Sequence, residues 1–421
     1  METQNNKAAL KLTQVTALYV GSVLGSGILI IPGIVAEAAG PASLVAWGIM
    51  AILVFPMALT MGLLSARHPD SGGVAHFVTL VFSPGLGSLV GWFFLMSVVV
   101  GAPVLALTGA GYFCSAFGMG GVSRLGIASA ILVAGLAINH LGMRVTGGVQ
   151  TAVVICILVV LAVTVGGGFS KVDPQNFSPF LPNGWRSVGF SATILFWCFI
   201  GWEAVSHLAD EFKDPAKAAI CGTLVAAVIV DIIYLATAFV VVGSASYGPG
   251  ISDVSLVHLI KITFGEYGAR IGGVAALFVC VAPAIAYIGA AARLASSLAR
   301  RGYAPKFMSR MSAKRGTTSG GLLFLAACFL VLLVMFSSRL VSMNTLIQIP
   351  NATFILTYLA GSAAGLRLLK GNRVGTVASL ISLVMTAAII LFVKWTALYA
   401  VAIALAWLVL ALKARAVRGV G

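Results

Sequence analysis

The chain has 421 residues, of which 60% are hydrophobic and 9% charged, against roughly 45–50% and 25% in soluble domains. Eleven acidic and 26 basic side chains cannot cover the surface of a soluble protein this long, and the mean hydropathy is +1.06. Soluble enzymes are excluded, and an integral membrane protein is expected. The net charge of +15 raises nucleic acid as a partner, but its distribution, described below, speaks against one. The six cysteines all fall in apolar stretches without C-x-x-C spacing, so they read as small buried residues rather than disulfides or metal ligands.

A hydrocarbon core of about 30 Å takes roughly 20 apolar residues per helix. On that measure the sequence predicts twelve spans, near 13–37, 42–66, 86–115, 123–141, 146–168, 187–209, 217–243, 270–299, 320–337, 341–366, 374–393 and 395–412. Runs this long are helices rather than the short alternating strands of a barrel. The first is too long and too broken by glycine to be the apolar region of a signal peptide. With residues 1–12 in the cytoplasm, nineteen of the 26 Lys and Arg fall on the cytoplasmic side and seven on the other. This positive-inside excess places both termini, 1–12 and 413–421, in the cytoplasm. It accounts for a pI near 9.9 without nucleic acid and turns the basic loop 300–315 toward anionic lipid headgroups. The longest segments between spans, 67–85, 169–186, 244–269 and 300–319, leave no room for a soluble catalytic domain. Val254–Phe264 fits either a short helix on the outer face or a packed loop.

Glycine inside a span matters because lipid cannot satisfy freed backbone groups, so breaks survive only in protein or beside a cavity. The first span carries Gly21, Ser22, Gly25, Ser26 and Gly27 near its middle. That fits an unwound segment whose N–H groups, at the positive end of the next half-helix, receive a carboxylate. It fits close helix packing equally well. The sixth span tips the balance, because Phe196-Trp197-Cys198-Phe199-Ile200-Gly201-Trp202-Glu203 places a glycine between aromatics and an acid, again near mid-span. Spans one and six correspond if five helices repeat with inverted topology, and paired breaks of this kind point to a transport site at the midplane. Carbonyls around Ile200 and Gly201 would accept from an ammonium, and Trp197 and Trp202 would supply apolar surface. Together the two breaks describe a site for a zwitterion.

Intramembrane acids usually have a task. Glu203 reads as a proton-coupling or gating carboxyl, or as an acid bracing the break. Asp231, midway along the seventh span, shares that role or caps a polar contact between helices. His207, four residues after Glu203, lies on the same helical face and fits a proton relay. Asp214-Pro215 fits a helix start, with Asp210, Glu211 and Lys213 beside it. Pro56, Pro103, Pro283 and Pro350 are expected to kink their helices. No Walker, Ser-His-Asp or H-E-x-x-H pattern occurs, so neither ATP-driven transport nor an enzyme is expected, and no cofactor or metal.

Gly25-Ser26-Gly27-Ile28 resembles the carboxylate-binding signature of the amino acid–polyamine–organocation superfamily. Phe199-Ile200-Gly201-Trp202-Glu203 with Glu211-Phe212-Lys213-Asp214-Pro215, Pro69-Asp70-Ser71-Gly72-Gly73 and Gly302-Tyr303-Ala304-Pro305 resemble three further motifs of that family, in the right order. The stretches 71–78, 196–199 and 207–213 are most similar to its bacterial inner-membrane exporters of L-methionine and branched-chain amino acids.

The resemblance implies an all-α membrane protein of twelve helices. It has a five-plus-five inverted repeat over 13–168 and 187–366, discontinuous helices one and six, an extracytoplasmic loop at 169–186 and two further helices at 374–412. It implies alternating access around Gly25, Ser26, Gly27, Ile28, Trp197, Ile200, Gly201 and Trp202, with Tyr287 as an aromatic wall and Glu203 in coupling or gating. Some proton-coupled relatives carry a lysine in the fifth helix, and 146–168 has none; the eighth span also lacks a Ser/Thr pair beside Tyr287. The expected function is proton-gradient-driven export of L-methionine and branched-chain amino acids, with an amino acid, protons and the bilayer as partners. Uptake or exchange by the same fold is the nearer alternative, and a non-transporting sensor or channel the more distant one.

Overall fold

The computed structural model describes residues 12–68, 70, 72–142, 147–203 and 217–418. Among them every regular element is helical. The helices relevant to the site are α1 (Leu12–Val23), α2 (Ser26–Ala39), α3 (Ser43–Arg67), α4 (Val74–Val81), α5 (Pro84–Phe117), α6 (Gly121–Leu141), α7 (Gly147–Gly168) and α8 (Gly184–Leu195). They continue as α9 (Thr223–Gly243), α10 (Ser255–Arg300), α11 (Ser319–Ser337), α12 (Met343–Leu368), α13 (Arg373–Ile390) and α14 (Ala397–Arg418). Eight helical stretches among the described residues are long and apolar enough to cross a membrane, and Leu12–Val23 and Ala397–Leu412 are shorter apolar helices. Large apolar side chains such as Ile52, Val122, Ile271, Leu323 and Leu330 stand on the outer surface, as in a protein whose solvent is lipid.

The elements follow from local chemistry. In α5 the Ser83 hydroxyl accepts from the Leu86 N–H at 3.2 Å, with Pro84 in the first turn, the arrangement that starts helices. Inside the bundle, Ser97 and Thr108 return their hydroxyls to the carbonyls four residues earlier, so these polar atoms do not face hydrocarbon unpaired. Pro32, Pro56, Pro103, Pro283 and Pro350 all lie within helices that continue past them.

Contacts between loops define two ends. At one, Arg67 Nη1 donates to Leu368 O, Arg367 Nη1 to Val81 O, Trp92 Nε1 to Tyr303 O and Thr317 Oγ1 to His140 O. This end carries the basic segment 300–315. At the other, Ala42 N donates to Phe180 O, Asn183 Nδ2 to Ala38 O, and Arg124 pairs with Asp253 at 3.5 Å.

Several expectations shift in detail. The loop 67–85 contains the helix α4. Of the two readings of Val254–Phe264 the helical one holds: α10 begins at Ser255 and is bent by non-helical backbone at Gly265 (φ +71°), so the following long helix starts four residues before 270. Cys114, Cys198 and Cys280 are buried, whereas Cys156 and Cys221 are exposed on helix surfaces, where lipid accepts a small apolar side chain as readily as a core does. His207, Asp210, Glu211, Lys213, Asp214 and Pro215 lie outside the described residues.

Candidate functional site

Both interruptions read from the sequence are present. α1 ends at Val23, Leu24 and Gly25 are non-helical, and α2 restarts at Ser26. No side chain among the described residues caps α2, so its first-turn N–H groups are uncapped donors of the kind that bind anions. α8 runs into a single 3-10 turn, Phe196–Phe199, and the chain then becomes extended at Ile200 (φ −88°, ψ 158°). Gly201 follows at φ +122°. A β-carbon on Gly201 would lie 2.6 Å from Ser22 O, so glycine lets the second break press on the end of α1. Gly27 plays the same part in reverse, since a β-carbon there would lie 3.0 Å from Cys198 Cα.

The breaks are tied together by α9. Tyr234 Oη sits 3.0 Å from Val23 O and 2.9 Å from Cys198 O, the carbonyls nearest each interruption. Its ring packs against Phe199 and Trp47 at 5.3 and 5.4 Å. Asn351 donates to Thr193 O and Ile194 O near the end of α8, carbonyls that lose their helical partners when the helix stops.

Between the breaks lies a narrow chamber. The space left between its atoms is about 410 Å³, the scale of one small solute and not of an aqueous channel. Ser22, Val23, Gly25, Ser26 and Gly27 meet Trp197 and Ile200 there, and α5, α10 and α12 complete the wall with Gly101, Leu105, Pro283, Tyr287 and Phe354, among others. None of the lining side chains is charged. Trp197 Nε1 donates to Ser26 Oγ at 3.0 Å, joining the apolar wall to the first turn of α2.

The site residues expected from the sequence therefore divide. Gly25, Ser26, Gly27, Trp197, Ile200 and Tyr287 line the chamber. Ile28 is fully buried, and Trp202 packs on Tyr19 of α1 with ring centroids 5.7 Å apart; neither is among the lining residues. The helix resumes at Trp202, and the turn at Gly201 carries that ring to the α1 side. Gly201 shapes the break without lining the space. Sequence reasoning missed Gly101, Leu105, Pro283 and Phe354, because small and apolar residues in apolar spans carry no signal of which face meets a cavity. Only Pro283 stood out, as a kink.

Glu203 is 1% exposed and lies beyond the chamber wall. Its Oε2 accepts from Gly201 N at 2.9 Å and from the Tyr358 hydroxyl. The Tyr287 hydroxyl faces the same carboxyl. Glu203 also lines a second, smaller cavity of about 250 Å³ with Gly72, Val74, Phe94 and Thr357, toward the basic end. At the opposite end a wider recess of about 880 Å³ is bordered by Ile34, Glu37, Ile194, Asp253 and Met343. Asp231 on α9 is 6% exposed, and neither of its oxygens has a hydrogen-bond partner among the described residues. Among the described residues no group of His, Cys, Asp and Glu gathers as a metal site.

Residues 10–417 match the family model described as amino acid permease. The chain is 36% identical over 394 residues to an uncharacterized amino acid permease, YecA, of Bacillus subtilis, covering 93% of each chain. It is 30% identical over 410 residues to the L-methionine/branched-chain amino acid exporter YjeH of Escherichia coli, covering 96% of each. With the branched-chain amino acid permease BcaP of Bacillus subtilis it shares 23% identity over 388 residues, 86% of this chain and 81% of the relative.

Proposed function

Because the chain belongs to the amino acid permease family, and is a multi-pass membrane transporter rather than an enzyme, we propose that it is a secondary active exporter of L-methionine and branched-chain amino acids, driven by the proton gradient. The observation that carries this reading is the meeting of two helix interruptions at one uncharged chamber. The N–H groups of Ser26, Gly27 and Ile28 take the substrate carboxylate, helped by the Ser26 hydroxyl. Carbonyls at the ends of α1 and of the 196–199 turn take the ammonium, since helix C-termini carry partial negative charge. The side chain lies against Trp197, Tyr287, Phe354 and Leu105. With no charge offered there, methionine, leucine, isoleucine and valine are favoured over arginine and glutamate, whose charged ends would be left buried and unpaired. The likeness to the L-methionine/branched-chain amino acid exporter YjeH supports the same substrates.

The architecture goes with the mechanism. We take 13–168 and 187–366 as an inverted repeat within twelve spans, with 374–412 appended, in a bacterial inner membrane with both termini cytoplasmic. Alternating access opens the chamber first to one end, through the cavity beside Glu203, and then to the other, through the recess beside Glu37. Coupling to protons falls to a buried carboxyl, Glu203 or Asp231. Alternating access is reversible and the gradients set the flux, so the second reading is uptake or exchange by the same site.

Counterflow in proteoliposomes with labelled methionine, leucine, arginine and glutamate, with and without a pH gradient, tests the proposal. Methionine and leucine should exchange and respond to the gradient, while arginine and glutamate should not compete. Indifference to methionine and leucine alike would remove the substrate assignment.

A further inference from the structure

Two buried carboxyls lie in the described part of the bundle, and they are held differently. One oxygen of Glu203 is engaged twice, by the N–H of Gly201 in its own turn and by the Tyr358 hydroxyl of α12. It closes the turn at the second break and clips that turn to a neighbouring helix. Among the described residues neither oxygen of Asp231 finds a hydrogen-bond partner, although the residue is only 6% exposed. It lies three residues before Tyr234, on the same helix, and Tyr234 is the residue whose hydroxyl reaches the carbonyl before each break.

We infer that Asp231 is the group that carries the coupled proton, and that Glu203 instead positions the turn at Gly201. The inference rests on the transport reading above. α9 packs against α1, α2, α3, α7, the 3-10 turns Phe169–Lys171 and Pro174–Phe177 and the π turn Ala218–Gly222, with slighter contact to α10. The titratable groups these present are Tyr19 on α1, Cys156 on the outer surface of α7, Cys198 in the 196–199 turn, Cys280 and Tyr287 on α10, and Tyr234 on α9 itself. Cys221 lies in the π turn. Glu37 and Arg67 stand near the outer ends of α2 and α3, and Lys171 and Asp173 in the loop after α7. His258, Lys261, Glu266, Tyr267, Arg270, Arg293 and Arg300 lie along the remainder of α10. None of these groups forms a hydrogen bond or an ion pair with Asp231.

An ionised carboxylate left buried without a partner is strongly unfavourable, whereas the neutral acid is not. The arrangement in this structure is therefore one that holds a proton on Asp231. When the segments around the two breaks move off α9 and water reaches the carboxyl, the proton can leave to that water, the O–H bond being the only one broken. A group stable only when protonated in one conformation, and hydrated in another, links proton binding to the conformational equilibrium. Glu203 lacks this property in the same degree, because its hydrogen bonds persist with either a carboxylate or an amide in place.

The test uses the full-length protein in proteoliposomes, with labelled leucine. With one proton coupled, a gradient of about one pH unit supports about a tenfold accumulation, one unit being ~1.4 kcal/mol. Asp231→Asn is expected to equilibrate leucine by counterflow and lose the accumulation, and Asp231→Glu to restore part of it. Glu203→Gln is expected to slow counterflow and gradient-driven flux in the same proportion, keeping the accumulation ratio. Accumulation by Asp231→Asn equal to wild type overturns the assignment, as does its selective loss in Glu203→Gln. Should Asp231→Asn carry no flux at all, dicyclohexylcarbodiimide labelling of the wild-type protein decides, since it modifies protonated buried carboxyls. Mass spectrometry is expected to find the adduct on Asp231, and an adduct on Glu203 alone overturns the assignment. Wild-type counterflow that ignores the gradient overturns it while leaving the amino acid reading intact. Absence of counterflow with every amino acid removes that reading and this inference together.

Discussion

Gly201→Ala puts the geometry of the two breaks to a quantitative test. Alanine at φ +122° is a conformation that L-residues avoid, costing of order 1–3 kcal/mol. Its β-carbon would also lie 2.6 Å from Ser22 O and 2.9 Å from Ser22 C. These are backbone atoms at the end of α1 that cannot rotate away, and overpacking of this kind adds about 1–3 kcal/mol. The combined effect, about 2–6 kcal/mol, must surface either as lost stability or as a displaced break and weaker binding. Thermal unfolding of the purified protein and leucine titration by calorimetry measure both. At ~1.4 kcal/mol per factor of ten, the lower bound already predicts a leucine Kd raised roughly thirtyfold if the fold absorbs none of the strain. Gly126→Ala is the control: on α6 nothing lies within 4 Å of the added carbon, and stability should stay constant or rise by up to about 1 kcal/mol. A Gly201→Ala protein that matched wild type in both midpoint and affinity would refute the claim that the sixth-span break rests against the end of α1.

Ser26→Ala leaves the Trp197 indole N–H without its acceptor; a cost of about 1–3 kcal/mol should appear in stability, together with weaker leucine binding, and unchanged values in both assays would dissociate the pair from the site. Gly101→Ala sets a carbon 3.2 Å from Trp197 Cη2, so competition by leucine and methionine should weaken more than competition by alanine, and equal weakening would remove Gly101 from side-chain selection. Outside the spans, burial first, then the charges of His76 and Arg67, hold His68 below its ordinary value of 6.5. The folded state therefore resists protonation more than the unfolded chain does, so stability is intact above that value and falls as pH drops through it. The unfolding midpoint should fall between about pH 7.5 and about pH 5.5 in the wild type, and by less in His68→Gln; an equal fall in both would exclude His68 as the cause.

The class of this protein was legible in the amino-acid sequence because lipid imposes a severe condition. Spans must be long, apolar and helical, so their approximate bounds can be read directly, and a break is tolerated only where protein or a cavity receives the freed backbone. Gly25 and Gly201 could be found for that reason, in advance of any coordinates. Tertiary structure decided what meets at those breaks. Trp197 and Trp202 are both aromatics beside Gly201, yet one lines the chamber and the other packs on Tyr19, a difference set by the rotation of the chain through φ +122°. Gly101, Leu105 and Phe354 are unremarked apolar positions until α5 packs against α2 and α12 against the 196–199 turn, because hydrophobic periodicity vanishes in a helix that is buried on every side. Glu203 and Asp231 are equal in sequence as acids inside apolar spans. Only folding supplied one with the Gly201 N–H and the Tyr358 hydroxyl and left the other bare, since hydrogen-bond partners drawn from distant helices are fixed by packing and not by neighbours in the chain.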